Sequence, residues 1–186
     1  RLWLVSLSDG ERTEISGNPS VYSQGQGGLL DSALHPSFAE DRWLYLTYSA
    51  ANDEGASATH LGRGRLNVEA GTLDAFEQLH VAEPFVESNG PFGSRVTFGP
   101  DGFLYQTVGD RQFKDFGPDH VAQDLTNELG VTLRLGADGS IPDDNPFVDD
   151  PEAGDAIYSY GHRNAQGMAV HPDTGAIWQS EFGEQG

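Results

Sequence analysis

The sequence contains no cysteine, and this absence removes two classes of protein from consideration. Disulfide-stapled domains and metal centres built on thiolates both need cysteine side chains. Long apolar runs are missing as well: no stretch approaches the roughly 18 residues of a membrane-spanning helix, so no membrane insertion is expected. The N-terminal Arg-Leu-Trp-Leu-Val lacks the pattern of a signal peptide and is typical of a strand.

Basic residues are scarce. The chain has 10 lysines and arginines against 29 acidic residues, which gives a formal net charge of −19. Such a surface repels nucleic acid and anionic lipid, so neither is an expected partner. The acidic residues are spread along the chain rather than gathered in a tail, which favours a role in solubility; a functional acidic patch that gathers cations is the alternative.

Chain-punctuating residues are abundant, with 24 glycines and 10 prolines among 186 residues. This composition predicts many short elements joined by turns rather than long helices. One helix is predicted over residues 121–129, where apolar side chains recur at every fourth position and Gly130 follows as a stop. Residues 50–60 and 142–155 lack periodicity and are predicted to be loops.

A hairpin pattern recurs three times. Each copy has a short apolar strand, a turn led by Pro36, Pro100 or Pro172, and a second strand with an aromatic residue. Proline presets φ for a tight turn, and the flanking apolar runs are typical of buried strands. Hairpins repeated at this distance predict an all-β protein with about three β-propeller blades. The copies span residues 33–48, 97–110 and 169–183.

Three blades do not close a ring, and an open ring leaves sheet edges exposed. We therefore interpret residues 1–186 as one partial β-propeller domain, truncated at its C-terminus, and expect the natural protein to continue past Gly186.

Eight short motifs, taken together and in order, resemble the pyrroloquinoline quinone (PQQ)-dependent aldose sugar dehydrogenases, also called the glucose/sorbosone dehydrogenase family. The resemblance covers nearly all of this chain and the N-terminal half of the family's domain. It implies a six-bladed propeller with PQQ at one end of its axis and calcium against the quinone. The motifs are Gly-Gln-Gly-Gly-Leu-Leu-Asp (25–31), His-Pro-Ser-Phe (35–38), Phe-Gly-Ser-Arg (92–95), Gly-Pro-Asp-Gly-Phe-Leu-Tyr (99–105), Val-Gly-Asp-Arg (108–111), Ala-Gln-Asp-Leu (122–125), Asp-Gly-Ser-Ile-Pro-Asp-Asp-Asn-Pro-Phe (138–147) and Tyr-Ser-Tyr-Gly-His-Arg-Asn-Ala-Gln-Gly-Met (158–168).

The resemblance implies a reaction. Family members oxidise aldose sugars at the anomeric carbon to lactones, with a histidine taking the hydroxyl proton while hydride passes to the quinone. An external electron acceptor then takes the electrons. Members of the family are usually exported to the periplasm or secreted, although this chain carries no signal to indicate it.

The resemblance also implies roles for individual residues. Arg163 matches the arginine that faces the quinone, where a permanently charged guanidinium holds a polarised oxygen. Asn164 matches a cofactor-binding position, and Gln26 matches a glutamine near cofactor and sugar. Asp110 matches the aspartate that orients the catalytic histidine. Beside Arg163, His162 is interpreted as a structural residue.

Calcium is implied at Gly183 and Glu184, which match two positions whose main-chain carbonyls hold the ion. Oxygen ligands suit calcium. The family usually has proline where this chain has Glu184, a change that carbonyl ligation tolerates.

Further cationic residues that bind the PQQ carboxylates come from later blades in the family. The 186-residue chain alone is therefore not expected to bind PQQ usefully.

The largest departure from the family lies at Pro91, which stands where the catalytic histidine is expected. A proline side chain accepts no proton. One interpretation is a non-catalytic propeller that has lost its base and binds sugar or calcium. The other is that a different base enters the site, for which His120 is the candidate because it is the only histidine between His80 and His162.

Overall fold

The computed structural model describes residues 1–113 and 118–183. It is built almost entirely of strands, with two short helical turns, which confirms the predicted all-β class. In chain order the elements are β1 (Leu2–Val5), β2 (Arg12–Ile15), β3 (Leu29–Leu34), α1 (Phe38–Asp41), β4 (Trp43–Ala51), β5 (Ser57–Asn67), β6 (Thr72–Val86), β7 (Gly93–Phe98), β8 (Leu104–Val108), a 3-10 helix (Val121–Gln123), β9 (Val131–Leu135), β10 (Ile157–Tyr160), β11 (Ala165–Val170) and β12 (Ile177–Glu181).

The strands form two four-stranded antiparallel sheets and two hairpins. One sheet runs in the order β3-β4-β5-β6 and the other in the order β7-β8-β9-β10, while β1 pairs with β2 and β11 with β12. The first strands β3, β7 and β11 contact one another in that order, as the inner strands of neighbouring propeller blades do. The chain is thus a partial propeller with two complete blades, the first two strands of a third, and an N-terminal hairpin.

The three predicted hairpins are present. They are β3–β4, β7–β8 and β11–β12, and each turn contains one of the prolines that mark the repeat. The second turn shows the local chemistry: Gly102 donates its N–H to Gly99 at 3.1 Å, and Asp101 accepts the Phe103 N–H at 3.3 Å. Gly102 has φ +83°, a conformation that glycine adopts without strain.

The main core lies between the two four-stranded sheets. Tyr45 and Leu61 of the first sheet pack in one cluster with Leu104 and Leu133 of the second, and all four are buried. The Tyr45 hydroxyl donates to the Ala137 carbonyl at 2.7 Å, so even this polar atom is satisfied across the interface. Burial of each such side chain stabilises the fold by about 1.5–3 kcal/mol, which holds adjacent blades together.

The N-terminal hairpin packs against the first sheet. Ile15 of β2 shares a buried cluster with Leu44 and Leu46 of β4. A parallel bridge between Ser16 and Thr72 joins the end of β2 to the start of β6.

The longest strand, β6, is the outermost of its sheet. Its pairing with β5 shifts register at three places, and Pro84 interrupts its row of N–H donors. These irregularities bend a strand and break its ladder.

The helix predicted over 121–129 is wrong: only the 3-10 turn Val121–Gln123 forms. The Asp124 side chain accepts from the Thr126 N–H at 2.9 Å, and the Asn127 amide donates to the Asp124 carbonyl at 2.8 Å. These local side-chain bonds compete with helical hydrogen bonds and end the helix after one turn.

The loop predicted over 50–60 is shorter than expected. Strands β4 and β5 extend into it and leave residues 52–56 as the turn. Asn52 closes this turn, since its side-chain oxygen accepts from the N–H groups of Glu54 at 3.1 Å and Ala56 at 3.0 Å. Sequence periodicity missed the extension because alanine and serine carry no strand signal.

Residues 142–155 form no helix or strand, as predicted. Within the described ranges 1–113 and 118–183, no helix has the length and apolar character that crossing a bilayer requires.

Candidate functional site

The predicted site residues that the structure describes lie at one end of the sheets, which we call the site end. There β3, β7 and β11 begin and their antiparallel partners β4, β8 and β12 finish. The site loops carry Gln26 before β3, Pro91 before β7, Asp110 after β8, Arg163 and Asn164 before β11, and Gly183 after β12.

The Gln26 loop is bonded to the loop before β7. The Gln26 N–H donates to the Asn89 carbonyl at 2.9 Å. Gly25, with φ +56°, lets the two loops meet, because a Cβ there would lie 2.5 Å from the Asn89 carbonyl oxygen. Gly25 therefore allows the Asn89 backbone to approach the Gln26 loop closely.

The Pro91 loop is bonded in turn to the end of β8. The Gly109 N–H donates to the Phe92 carbonyl at 3.0 Å. A Cβ at Gly109 would lie 2.1 Å from the Pro91 carbonyl oxygen, so only glycine fits here. Pro91 is itself buried, and Gly109, which meets its carbonyl, directly precedes Asp110.

The turn before β11 completes the series. Asp110 donates its N–H to the Arg163 carbonyl at 2.8 Å, and Glu181 accepts the Arg163 N–H at 2.7 Å. Phe182 donates its N–H to the Asn164 carbonyl at 3.0 Å. The backbone positions of Gln26, Pro91, Asp110, Arg163 and Asn164 are therefore connected by hydrogen bonds around one end of the sheets.

His162 anchors the same turn. Its Nε2 lies 2.8 Å from the Ser159 hydroxyl and its Nδ1 lies 3.2 Å from the Gln179 side-chain nitrogen. Gln179 in turn accepts from the Thr132 hydroxyl at 2.8 Å. The imidazole is thus part of the framework between β9, β10 and β12, in keeping with the structural role expected of it. Sequence reasoning missed this network because its members lie in three separate strands.

Asp110 is fully buried, which disfavours the ionised form of its carboxyl. Its Oδ1 accepts the Gln112 N–H at 2.9 Å, whereas Oδ2 accepts no hydrogen bond from the described residues. Burial raises the pKa of the Asp110 carboxyl, and the hydrogen bond from the Gln112 N–H and the positive charge of Arg163 oppose that rise.

His120 does not have the geometry of a replacement base. Its Nδ1 accepts the Ala122 N–H at 3.1 Å, so the proton is assigned to Nε2, which lies 2.9 Å from the Phe113 carbonyl. That same Nε2 lies 3.6 Å from Asp110 Oδ2. With one nitrogen accepting and the other donating, the neutral ring has no nitrogen left to take a substrate proton.

The site end offers polar groups of the kind that a quinone cofactor and a sugar require. Asn164 is 4% exposed, and its Oδ1 has no hydrogen-bond partner among the described residues. An acceptor left in this state suits a ligand donor. Arg163 is half-buried and Gln26 is exposed, so both reach the surface of this end. These donor and acceptor groups fit PQQ.

The described residues contain no cluster of side chains suited to calcium. Across the part of the chain that the structure describes, no group of three or more His, Asp or Glu side chains could hold a metal ion. Main-chain carbonyls were the expected ligands, and Gly183 directly follows the Phe182–Asn164 hydrogen bond. Glu184 lies outside the described residues.

The sequence profile of the family described as Glucose / Sorbosone dehydrogenase matches residues 1–186. The chain belongs to the glucose/sorbosone dehydrogenase family. The resemblance drawn from the eight motifs is thereby confirmed.

Relatives within the glucose/sorbosone dehydrogenase family match closely. Aldose sugar dehydrogenase YliI of Escherichia coli (strain K12) is 39% identical over 172 residues, which cover 92% of this chain and 45% of that protein. The soluble aldose sugar dehydrogenase from Escherichia coli in its apo-form has a TM-score of 0.89 at 37% identity, covering 97% of this chain and 51% of that one. The PQQ-bound aldose sugar dehydrogenase from Streptomyces coelicolor has a TM-score of 0.82 at 31% identity, covering 98% and 50%.

The chain therefore spans about half the length of the glucose/sorbosone dehydrogenase relatives it matches. The likeness to these structures confirms the partial propeller.

Proposed function

We propose that the protein containing this chain oxidises aldose sugars at the anomeric carbon to lactones, with PQQ and calcium as cofactors. In this reaction the sugar loses a hydride from its anomeric carbon and a proton from the hydroxyl on that carbon. Because Pro91 cannot accept this proton, it would pass to solvent or to a base elsewhere in the protein. When bound, PQQ supplies the hydride acceptor. An external electron acceptor then reoxidises the cofactor, and we propose a periplasmic or secreted location.

One observation carries this proposal. In this chain, which belongs to the family, the loops that carry Gln26, Asp110, Arg163 and Asn164 are connected by backbone hydrogen bonds at a single end of the sheets. Arg163 would bind an oxygen that gains negative charge, and a guanidinium remains charged throughout. Asn164 and Gln26 would orient cofactor and sugar by hydrogen bonds. Gly183 and Glu184 would hold calcium through their carbonyls.

The test uses the full-length polypeptide that carries this chain, reconstituted with PQQ and calcium chloride. We expect glucose-dependent reduction of a redox dye, and we expect Arg163→Met to lower its rate by about 10²–10³-fold because an electrostatic donor is lost. Arg65→Met is the matched control, since Arg65 lies at the opposite end beside Trp43. If neither sugar-dependent reduction nor saturable PQQ binding is found, the proposal is wrong.

A second candidate is a non-catalytic propeller that binds sugar or calcium. Pro91 supports it, together with the Asp110 Oδ2 atom that has no hydrogen-bond partner among the described residues. Restoring the base by Pro91→His in the full-length protein should raise dye reduction by about 10²–10⁴-fold if the loss of histidine limits the rate. An unmodified protein that already turns over as fast as the variant would refute the loss of the base.

The 186-residue chain gives a further check on how the cofactor is held. We expect no tight binding when it is titrated with PQQ in the presence of calcium and followed by quinone absorbance. Tight saturable binding would contradict the need for cationic residues from elsewhere in the protein.

A further inference from the structure

Arg111 is a buried arginine next to Asp110 that the proposed function does not use. It is 2% exposed, and its backbone has φ +60°. Its Nε donates to the Gly90 carbonyl at 3.0 Å, and its Nη1 and Nη2 donate to the Ser57 carbonyl and hydroxyl, each at 2.8 Å. Nη2 also donates to the Ser88 carbonyl. Four of the five guanidinium N–H groups are thus directed at two short segments of chain.

No carboxylate among the described residues forms an ion pair with this guanidinium, although the chain has 29 acidic residues. Burial lowers the pKa of Arg111 to about 10. The Phe92 ring packs against the guanidinium, 3.8 Å from ring centre to carbon. A buried charge without a counter-ion is costly, so what Arg111 contributes is a fixed geometry of donors rather than the attraction of an ion pair.

The backbone of Arg111 holds the same segment. The Ser88 hydroxyl donates to the Arg111 carbonyl at 2.7 Å and accepts the Gly90 N–H at 3.2 Å. Arg111 therefore holds residues 88–90 through hydrogen bonds of both its side chain and its main chain.

The gripped segment connects to the site. Asn89 lies between the two residues that Arg111 holds, and its carbonyl accepts the Gln26 N–H. Its side-chain oxygen also accepts from the Tyr22 hydroxyl. Pro91 follows directly. Through residues 88–91, Arg111 is linked to both the Gln26 loop and the position where the family has its base.

We propose that Arg111 is a positioning residue that fixes residues 88–91, and through Asn89 the Gln26 loop, in a single arrangement at the site end. The proposal rests on the proposed function, because it is the sugar and cofactor site that this arrangement borders. Loss of the Arg111 side chain should make residues 88–91 and the Gln26 loop more mobile and leave the sheets unchanged.

The primary test is hydrogen exchange of backbone amides in the full-length protein, which does not depend on activity. In Arg111→Met, exchange at Gln26 and Gly90 should rise about tenfold, while β9 amides remain unchanged, since charged hydrogen bonds are lost only locally. Arg111→Lys should restore part of the protection, because one ammonium cannot reproduce the planar fork. Arg65→Met is the matched control, because the Arg65 guanidinium also bonds a carbonyl and stacks on an aromatic ring. This variant should leave hydrogen exchange in both loops unchanged.

Kinetics provide the second readout. The sugar KM should rise about tenfold in Arg111→Met, with a smaller change in kcat, because a misplaced Gln26 loop weakens substrate binding. If Arg111→Met fails to fold, Ser88→Ala removes the reciprocal bonds and should raise exchange at Gly90 and Gln26 by a smaller factor.

The outcomes separate the two proposals. Exchange that rises equally in β9 and in the loops, or in neither, overturns the positioning role. If Arg111→Met shows the expected local rise in exchange but the wild-type protein reduces no dye, the positioning role of Arg111 is supported and the proposed function is rejected.

Discussion

The two ends of the sheets are built differently. At the far end, where β3, β7 and β11 turn back into their partners, each turn bonds to itself, as Gly102 does to Gly99. At the site end the bonds run between loops that are distant in sequence, such as Gln26 to Asn89 and Asp110 to Arg163.

Buried charge follows the same division. At the far end, Asp101 is a partly exposed carboxylate bonded to Arg134 at 3.1 Å. At the site end, Asp110 and Arg111 are buried, and neither forms a close ion pair of carboxylate with guanidinium among the described residues. An ion pair thus holds the charged groups at the far end, whereas Asp110 and Arg111 at the site end are held by hydrogen bonds with backbone groups.

The largest expected contrast is between two glycines. Gly109→Ala should lower the free energy of unfolding by about 3 kcal/mol, because its Cβ would meet the Pro91 carbonyl at 2.1 Å. Gly102→Ala at the far end should cost only about 1 kcal/mol, since it has φ +83° but nothing within 4 Å of the added atom. Urea unfolding of both variants measures the difference, and equal losses would break the comparison.

A carboxylate at the far end should be stabilising. Asp101 accepts from the Tyr105 hydroxyl at 2.8 Å and from Arg134 Nε at 3.2 Å. Asp101→Asn should therefore lower the free energy of unfolding by about 1.5 kcal/mol, the value of a hydrogen bond to a charged group. The measurement is urea unfolding at neutral pH, and an unchanged midpoint would contradict it.

The carboxylate at the site end should behave in the opposite way. Burial raises the pKa of Asp110 above its ordinary value of 3.8, so ionisation of this group weakens the fold as the pH rises through its folded-state pKa. Asp110→Asn should then stabilise the protein by about 1 kcal/mol at neutral pH.

The pH dependence is the control for this last effect. Below pH 3.8 the carboxyl is protonated in both folded and unfolded protein, so the advantage of the asparagine variant should vanish there. A variant that is less stable than the parent at neutral pH would show that Asp110 supports the fold as Asp101 does.

The far end could be predicted from sequence and the site end largely could not. Proline turns at Pro36, Pro100 and Pro172 are local signals, and the hairpins they mark are present. The helix over 121–129 failed because Asp124 and its neighbours formed competing local bonds. Periodicity alone did not detect them.

Knowledge of the site residues came from family motifs rather than from patterning. Gln26 and Arg163 lie far apart in sequence, and nothing in their spacing predicts that they share one end of the sheets. The role of Arg111 could not be predicted from the sequence. An arginine that bonds main-chain carbonyls needs no particular type of partner residue, so no sequence pattern marks it. Its burial depends on how three segments meet, which only the fold decides.

The irregular outermost strand β6 bears on how the protein behaves when crowded. A strand of this length with an even ladder would be a template on which another molecule could add its own strand. Three shifts of register, Pro84, and acidic side chains such as Glu77 and Glu83 interrupt that template. Intermolecular sheet growth is therefore discouraged along β6, and the strongly negative surface keeps neighbouring molecules apart.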